Sequence, residues 1–87
     1  MEYTEIIVLD CARKHGATVK GIRHAVRFPK AARYRNFDPP AHIAIAGADE
    51  RGNIIEVLGA EQEDGSLVVY HAMKLTKKMA AELLLLP

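Results

Sequence analysis

Between residues 3 and 15 apolar side chains recur at Ile6, Ile7, Leu9 and Ala12, a spacing that predicts an amphipathic helix. Gly16 then stands where a left-handed C-terminal cap belongs. A second helix follows at once, because Thr18 is a natural N-cap, Val19, Ile22 and Val26 share one face, and Pro29 forces an end. Gly21 lowers its intrinsic propensity, so packing must hold it. Beyond Pro29 the period shortens. Residues 31–37 read as a strand or extended arm closed by Asp38, Pro39 and Pro40, whose rings bar a central strand position there.

Residues 42–48, 53–61 and 67–73 read as strands joined by short Gly-bearing turns at 49–52 and 63–66, the form expected of hairpins. Thr76 then caps a short helix over 77–85, with Met79, Leu83 and Leu86 at helical spacing. The expected architecture is α+β: two N-terminal helices, an antiparallel meander of three to four strands and a short C-terminal helix, in one domain spanning 1–87. Helices grouped on one side of the sheet would leave its other face open. On a regular last strand, Leu67, Val69, His71 and Met73 point one way and Val68, Tyr70, Ala72 and Lys74 the other.

Charge changes the picture more than composition does. The formal net charge is +1, yet between Cys11 and Phe37 there are eight Lys or Arg residues, two histidines and no acid. From Asp38 to Asp64 seven acids face Arg51 alone, and the chain turns basic again at Lys74, Lys77 and Lys78. Local positive fields bind phosphate backbones whatever the total charge, by releasing condensed counterions. On the second helix Lys20, Arg23, His24 and Arg27 fall opposite the apolar stripe. Solvation of a helix surface is the plainer reading of the same charges.

Length and aliphatic content suit one modest core. A single cysteine fits a reducing compartment, and nothing resembles a signal peptide, so a cytoplasmic location is expected. The leucine run at 83–86 is far too short to span a bilayer and is expected to dock on the core or on a partner.

Few residues offer chemistry. His71 lies in an apolar strand, where a structural histidine is the commoner case, but just before the cations Lys74, Lys77 and Lys78. Arg33, Tyr34 and Arg35 suit single-stranded nucleic acid, the ring stacking a base and the guanidinium groups forking onto phosphates; an inward Tyr34 with solvated arginines is the alternative. Cys11, His15 and His24 fall short of a recognisable zinc spacing, so no metal is expected. Glu50, Glu61, Glu63 and Asp64 read as turn-solvating acids, and Glu56 in mid-strand as a general base or an exposed residue.

Taken in order, Lys14-His15-Gly16, the apolar-basic helix ending near Pro29, the hairpin sheet and His71-Ala72-Met73-Lys74 before a Lys-rich tail resemble the BrnT-like toxins of bacterial toxin–antitoxin pairs. Ile7, Cys11 and Met73 depart from that family's pattern, in which an early histidine, a polar residue and a further arginine are common. The resemblance implies a small RelE-like, metal-independent endoribonuclease without cofactor, neutralised by a cognate antitoxin protein. For such a reaction the residues expected to act are His71 as acid or base and Lys74 and Arg27 as charge stabilisers, with Lys20, Arg23, Arg33, Tyr34, Arg35, Lys77 and Lys78 as RNA contacts. A non-catalytic nucleic-acid-binding or protein-interaction module of the same fold is the alternative, and a homo-oligomer is compatible with either.

Overall fold

The computed structural model describes residues 1–84. Its elements are β1 (Ile6–Val8), a 3₁₀ turn (Asp10–Arg13), α1 (Val19–Arg27), β2 (Pro29–Asn36), β3 (Ala41–Ala48), β4 (Ile54–Glu61), β5 (Leu67–Lys74) and α2 (Lys77–Glu82). The strands form one mixed sheet in the order β1-β5-β4-β3-β2, in which β2 to β5 are an antiparallel meander and β1 runs parallel to β5. The α+β class and the meander agree with the sequence pattern.

The expected first helix is absent, and its residues form β1 and the 3₁₀ turn. Ile6, Ile7 and Val8 are β-branched residues, stiff at χ1 and suited to a pleated surface. Pairing Ile6 with Leu67 and Val8 with Val69 buries Ile6 and leaves Ile7 facing out, a period of two. Gly16 does terminate a turn of helix, at φ +90°, but the turn is the 3₁₀ one, closed by Gly16 N–H to the Arg13 carbonyl at 3.1 Å. Both threonine caps form as expected: Thr18 Oγ accepts from Gly21 N–H at 3.0 Å, and Thr76 Oγ from Met79 N–H at 3.2 Å. Residues 85–87, the end of the expected last helix, lie outside the described residues.

The helices lie on opposite sheet faces rather than one. Ile43, Ile45 and Val57 meet Ile22, Ala25 and Val26 of α1, whereas the alternating residues Ala44, Ala46 and Leu58 meet Met79 and Leu83 on the α2 side. Glycine sets the first approach. A Cβ at Gly47 would fall on the carbonyl of Ala25, so α1 sits directly against the β3 backbone. No helix among the described residues is long and apolar enough to cross a membrane.

An irregularity in β5 redirects its side chains. Leu58 pairs with His71 but Gly59 with Val69, which leaves Tyr70 as an extra residue in a bulge. Leu67, Val69 and Ala72 therefore belong to the α1 core, and the regular alternation expected for this strand is broken between them. Tyr70 and His71 both turn to the α2 face, where they hydrogen-bond His42 and Glu56.

Replacing Gly47 by Ala is expected to destabilise the fold by about 3 kcal/mol, since the clash is with backbone that cannot rotate away. Urea denaturation of Gly47→Ala against wild type measures it.

Candidate functional site

Glu56 is the centre of the α2 face. Its side chain lies between β4 and the start of α2, and the residue is only 4% exposed. One oxygen, Oε1, accepts from Thr76 N–H at 2.9 Å and Thr76 Oγ–H at 2.7 Å. The other, Oε2, accepts from His71 Nε2–H at 3.0 Å. Burial pushes the carboxyl pKa upward, but the bonds from Thr76 and His71 outweigh it, and the net shift is downward from 4.5. Glu56 is thus neither the exposed residue nor the free base expected from its mid-strand position. It is a buried, ionised acceptor.

The bond to Glu56 orients His71. With Nε2–H donated, Nδ1 of the ring is left to exchange a proton, and the side chain is 26% exposed. The exposed ring of His15 stands edge-on to it, centroids 5.8 Å apart and planes at 66°. Local chain geometry puts His15 there: Cys11 Sγ–H donates to the Tyr70 carbonyl at 3.4 Å, which ties the 3₁₀ turn to β5, and the turn delivers Lys14 and His15 beside that strand. In the sequence His15 stood out within the Lys14-His15-Gly16 motif and as a weak zinc candidate, not as a partner of His71, because a pairing across more than fifty residues has no local signal.

The three residues expected to act together do not meet. His71 is on the α2 face. Lys74, exposed at the end of β5, pairs with Ile55 of the α1 core and so leaves the strand on the α1 side. Arg27 is exposed on the last turn of α1, across the sheet from His71. The bulge turns His71 away from the α1 side where Arg27 lies, and ordinary strand alternation puts Lys74 opposite His71.

The expected RNA contacts divide into bonded and free groups. Arg23 donates through Nε and Nη2 to the Ile6 carbonyl at 3.3 and 3.2 Å, closing the outer edge of β1, and His24 Nδ1–H donates to the Ala48 carbonyl at 2.7 Å. Arg35 forks onto Glu82 with two 2.7 Å bonds, which lowers the Glu82 pKa, and Arg33 reaches the Glu82 carbonyl at 3.4 Å. Both arginines thereby hold the C-terminal end of α2, where cations suit the helix dipole. Tyr34 points inward, its hydroxyl donating to Glu61 at 2.8 Å. Tyr3 donates to the same carboxylate at 2.7 Å, and burial together with that bond raises the Tyr3 pKa strongly. Glu61 is therefore a link between β4, β2 and the N-terminal segment, not a turn-solvating acid, and it holds the half-buried Tyr34 by its hydroxyl.

Lys20, Lys77 and Lys78 are exposed, and among the described residues none of them, nor Arg23 or Arg27, has a carboxylate within 4.0 Å. Lys20, Arg23, His24 and Arg27 line an open groove of about 470 Å³ on α1 with Val19, Phe28 and Glu50. Phe28, 63% exposed, packs its ring 4.9 Å from His24. Among the described residues no three His, Cys, Asp or Glu side chains gather in a metal-binding group.

No protein family, no curated protein and no solved structure matches the chain.

Because the Glu56 pKa is lower folded than unfolded, its stabilising contribution is complete above the ordinary carboxylate range and is lost as pH falls through the depressed folded value. Thermal unfolding from pH 7 to 3 is expected to show this acid loss in wild type and less of it in Glu56→Gln. Glu56→Ala should cost about 2 kcal/mol at neutral pH by stranding the Thr76 and His71 donors.

Proposed function

We propose that the chain is a metal-independent endoribonuclease of the BrnT-like toxin kind, held inactive by a cognate antitoxin, with His15 and His71 as its acid–base pair. One observation carries the reading. The two short motifs on which the resemblance rests, Lys14-His15-Gly16 and His71-Ala72-Met73-Lys74, lie more than fifty residues apart and bring their histidine rings to 5.8 Å. Glu56 behind one of them supplies the fixed tautomer that acid–base work requires.

In this reading His71 Nδ1 takes the proton of a ribose 2′-hydroxyl. The oxygen attacks the adjacent phosphorus, the bond to the 5′-oxygen breaks, and the imidazolium of His15 protonates that leaving oxygen, giving a 2′,3′-cyclic phosphate and a 5′-hydroxyl. Lys14 next to His15, and Lys77 and Lys78 next to the Thr76 that binds the Glu56 carboxylate, serve as the charge stabilisers in place of Arg27 and Lys74, which lie on the α1 side. Lys77 and Lys78 occupy the first turn of α2, where cations oppose the helix dipole, so helix stability does not account for them. The unpaired Lys20, Arg23 and Arg27 on α1 suit backbone contacts outside the reacting centre. If cleavage is absent, that same α1 groove, with Phe28 beside its cations, favours a module that only binds nucleic acid.

Incubation of the pure protein with a long RNA in EDTA should give cyclic-phosphate fragments. His15→Ala and His71→Ala should each lower the rate at least about 100-fold, while Arg27→Ala should stay within a few-fold of wild type. Intact RNA at high protein concentration, or cleavage unchanged in His71→Ala, overturns the assignment.

A further inference from the structure

The bulge in β5 lets Leu67 and Val69 on one side of it and Ala72 on the other face the same α1 core. It also brings Tyr70 onto the face that already carries His71. On a regular strand those neighbours would point to opposite faces. Bulges next to sites commonly re-aim a side chain in this way.

Tyr70 then reaches across the sheet. Its hydroxyl lies 2.9 Å from His42 Nδ1 on β3, and the two rings meet edge to face with centroids 5.7 Å apart. Together they bridge Ala60 of β4, the cross-strand partner of His42. α2 covers the other part of this face, running from Thr76 at Glu56 to Glu82 at Arg35. Beside α2 the half-buried rings of His42, Tyr70 and His71 and the exposed ring of His15 form two pairs, His42–Tyr70 and His71–His15, on the same face. Cations border it: Lys14 next to His15, Lys77 and Lys78 at one end of α2, Arg33 and Arg35 at the other.

We infer that Tyr70 and His42 form a base-stacking platform for single-stranded RNA, beside the His15–His71 pair on the α2 face. The inference rests on RNA as the ligand, and names where its bases lie. Every base has a π-face, so ring pairs bordered by cations hold an unpaired strand with little sequence preference, the phosphates meeting the lysines. A duplex keeps its bases stacked on one another and cannot use these rings. The Tyr70 hydroxyl is held by an imidazole and not by a carboxylate, unlike those of Tyr3 and Tyr34, so no fixed negative charge faces an incoming phosphate there.

The test uses the full chain in EDTA with a fluorescent 2′-O-methyl oligonucleotide, which cannot be cleaved, and a matched oligonucleotide carrying abasic sites. Wild type should bind the abasic strand roughly tenfold more weakly. Tyr70→Leu should lose a similar factor and Tyr70→Phe should keep wild-type affinity, with circular dichroism melts confirming that both are folded. Equal affinity for the two strands in wild type overturns the platform, whatever the variants do, and assigns this face to phosphate contacts or to a protein partner. Base-dependent binding without cleavage of ordinary RNA would keep the platform and reject the nuclease; cleavage with base-independent binding would do the reverse.

Discussion

The carboxylate of Glu56 is the constraint on which the α2 face depends. A buried ionised group costs several kcal/mol to desolvate and persists only when its lone pairs are filled. Here three donors fill them, and each belongs to something that must be placed: two to the residue that starts α2, one to the imidazole of β5. A helix of six residues is far below the length at which it would form alone, so its position is dictated by its ends. Thr76 at Glu56 fixes one end and Glu82 at Arg35 fixes the other, with Met79 and Leu83 supplying the apolar contact between them.

The basic stretch that dominates the sequence does several unrelated things in space. Arg23 closes the carbonyl edge of the short strand β1, Arg33 and Arg35 anchor α2, and His24 ties α1 to the end of β3. An open sheet edge invites pairing with another chain, and cations along β2 oppose it. The absence of acids from residues 11–37 therefore reflects structural demand in good part. Only Lys20, Arg27 and the unbonded part of Arg23 remain wholly available on α1.

Much of this was legible in the sequence. The strand–turn–strand succession from β3 to β5, both threonine caps, the amphipathic α1 and the glycine stop at residue 16 all follow from local rules. Three features were not. Ile6, Ile7, Leu9 and Ala12 satisfy a helical period as well as a strand run, and only the partner strand β5, sixty residues on, decides between them. The bulge at Tyr70 leaves no mark in composition, yet it moves two side chains to one face. The roles of Glu56 and Glu61 as buried acceptors depend on donors from Thr76, His71, Tyr3 and Tyr34, and no spacing rule assembles those.

The parallel docking of β1 on β5 couples the first strand of the sheet to the last one made. Every other strand pairs with a sequence neighbour, so the meander can zip as it leaves the ribosome, but Ile6 must wait until Leu67 exists. Long-range pairing of this kind is the slow, late event in folding. The Lys14-His15 loop rides on that event, because Cys11 reaches the carbonyl of Tyr70 only after β5 is in place. A nascent chain that lacks β5, or one truncated before it, thus has no paired imidazoles, and whatever activity the pair confers is withheld until β5 is made.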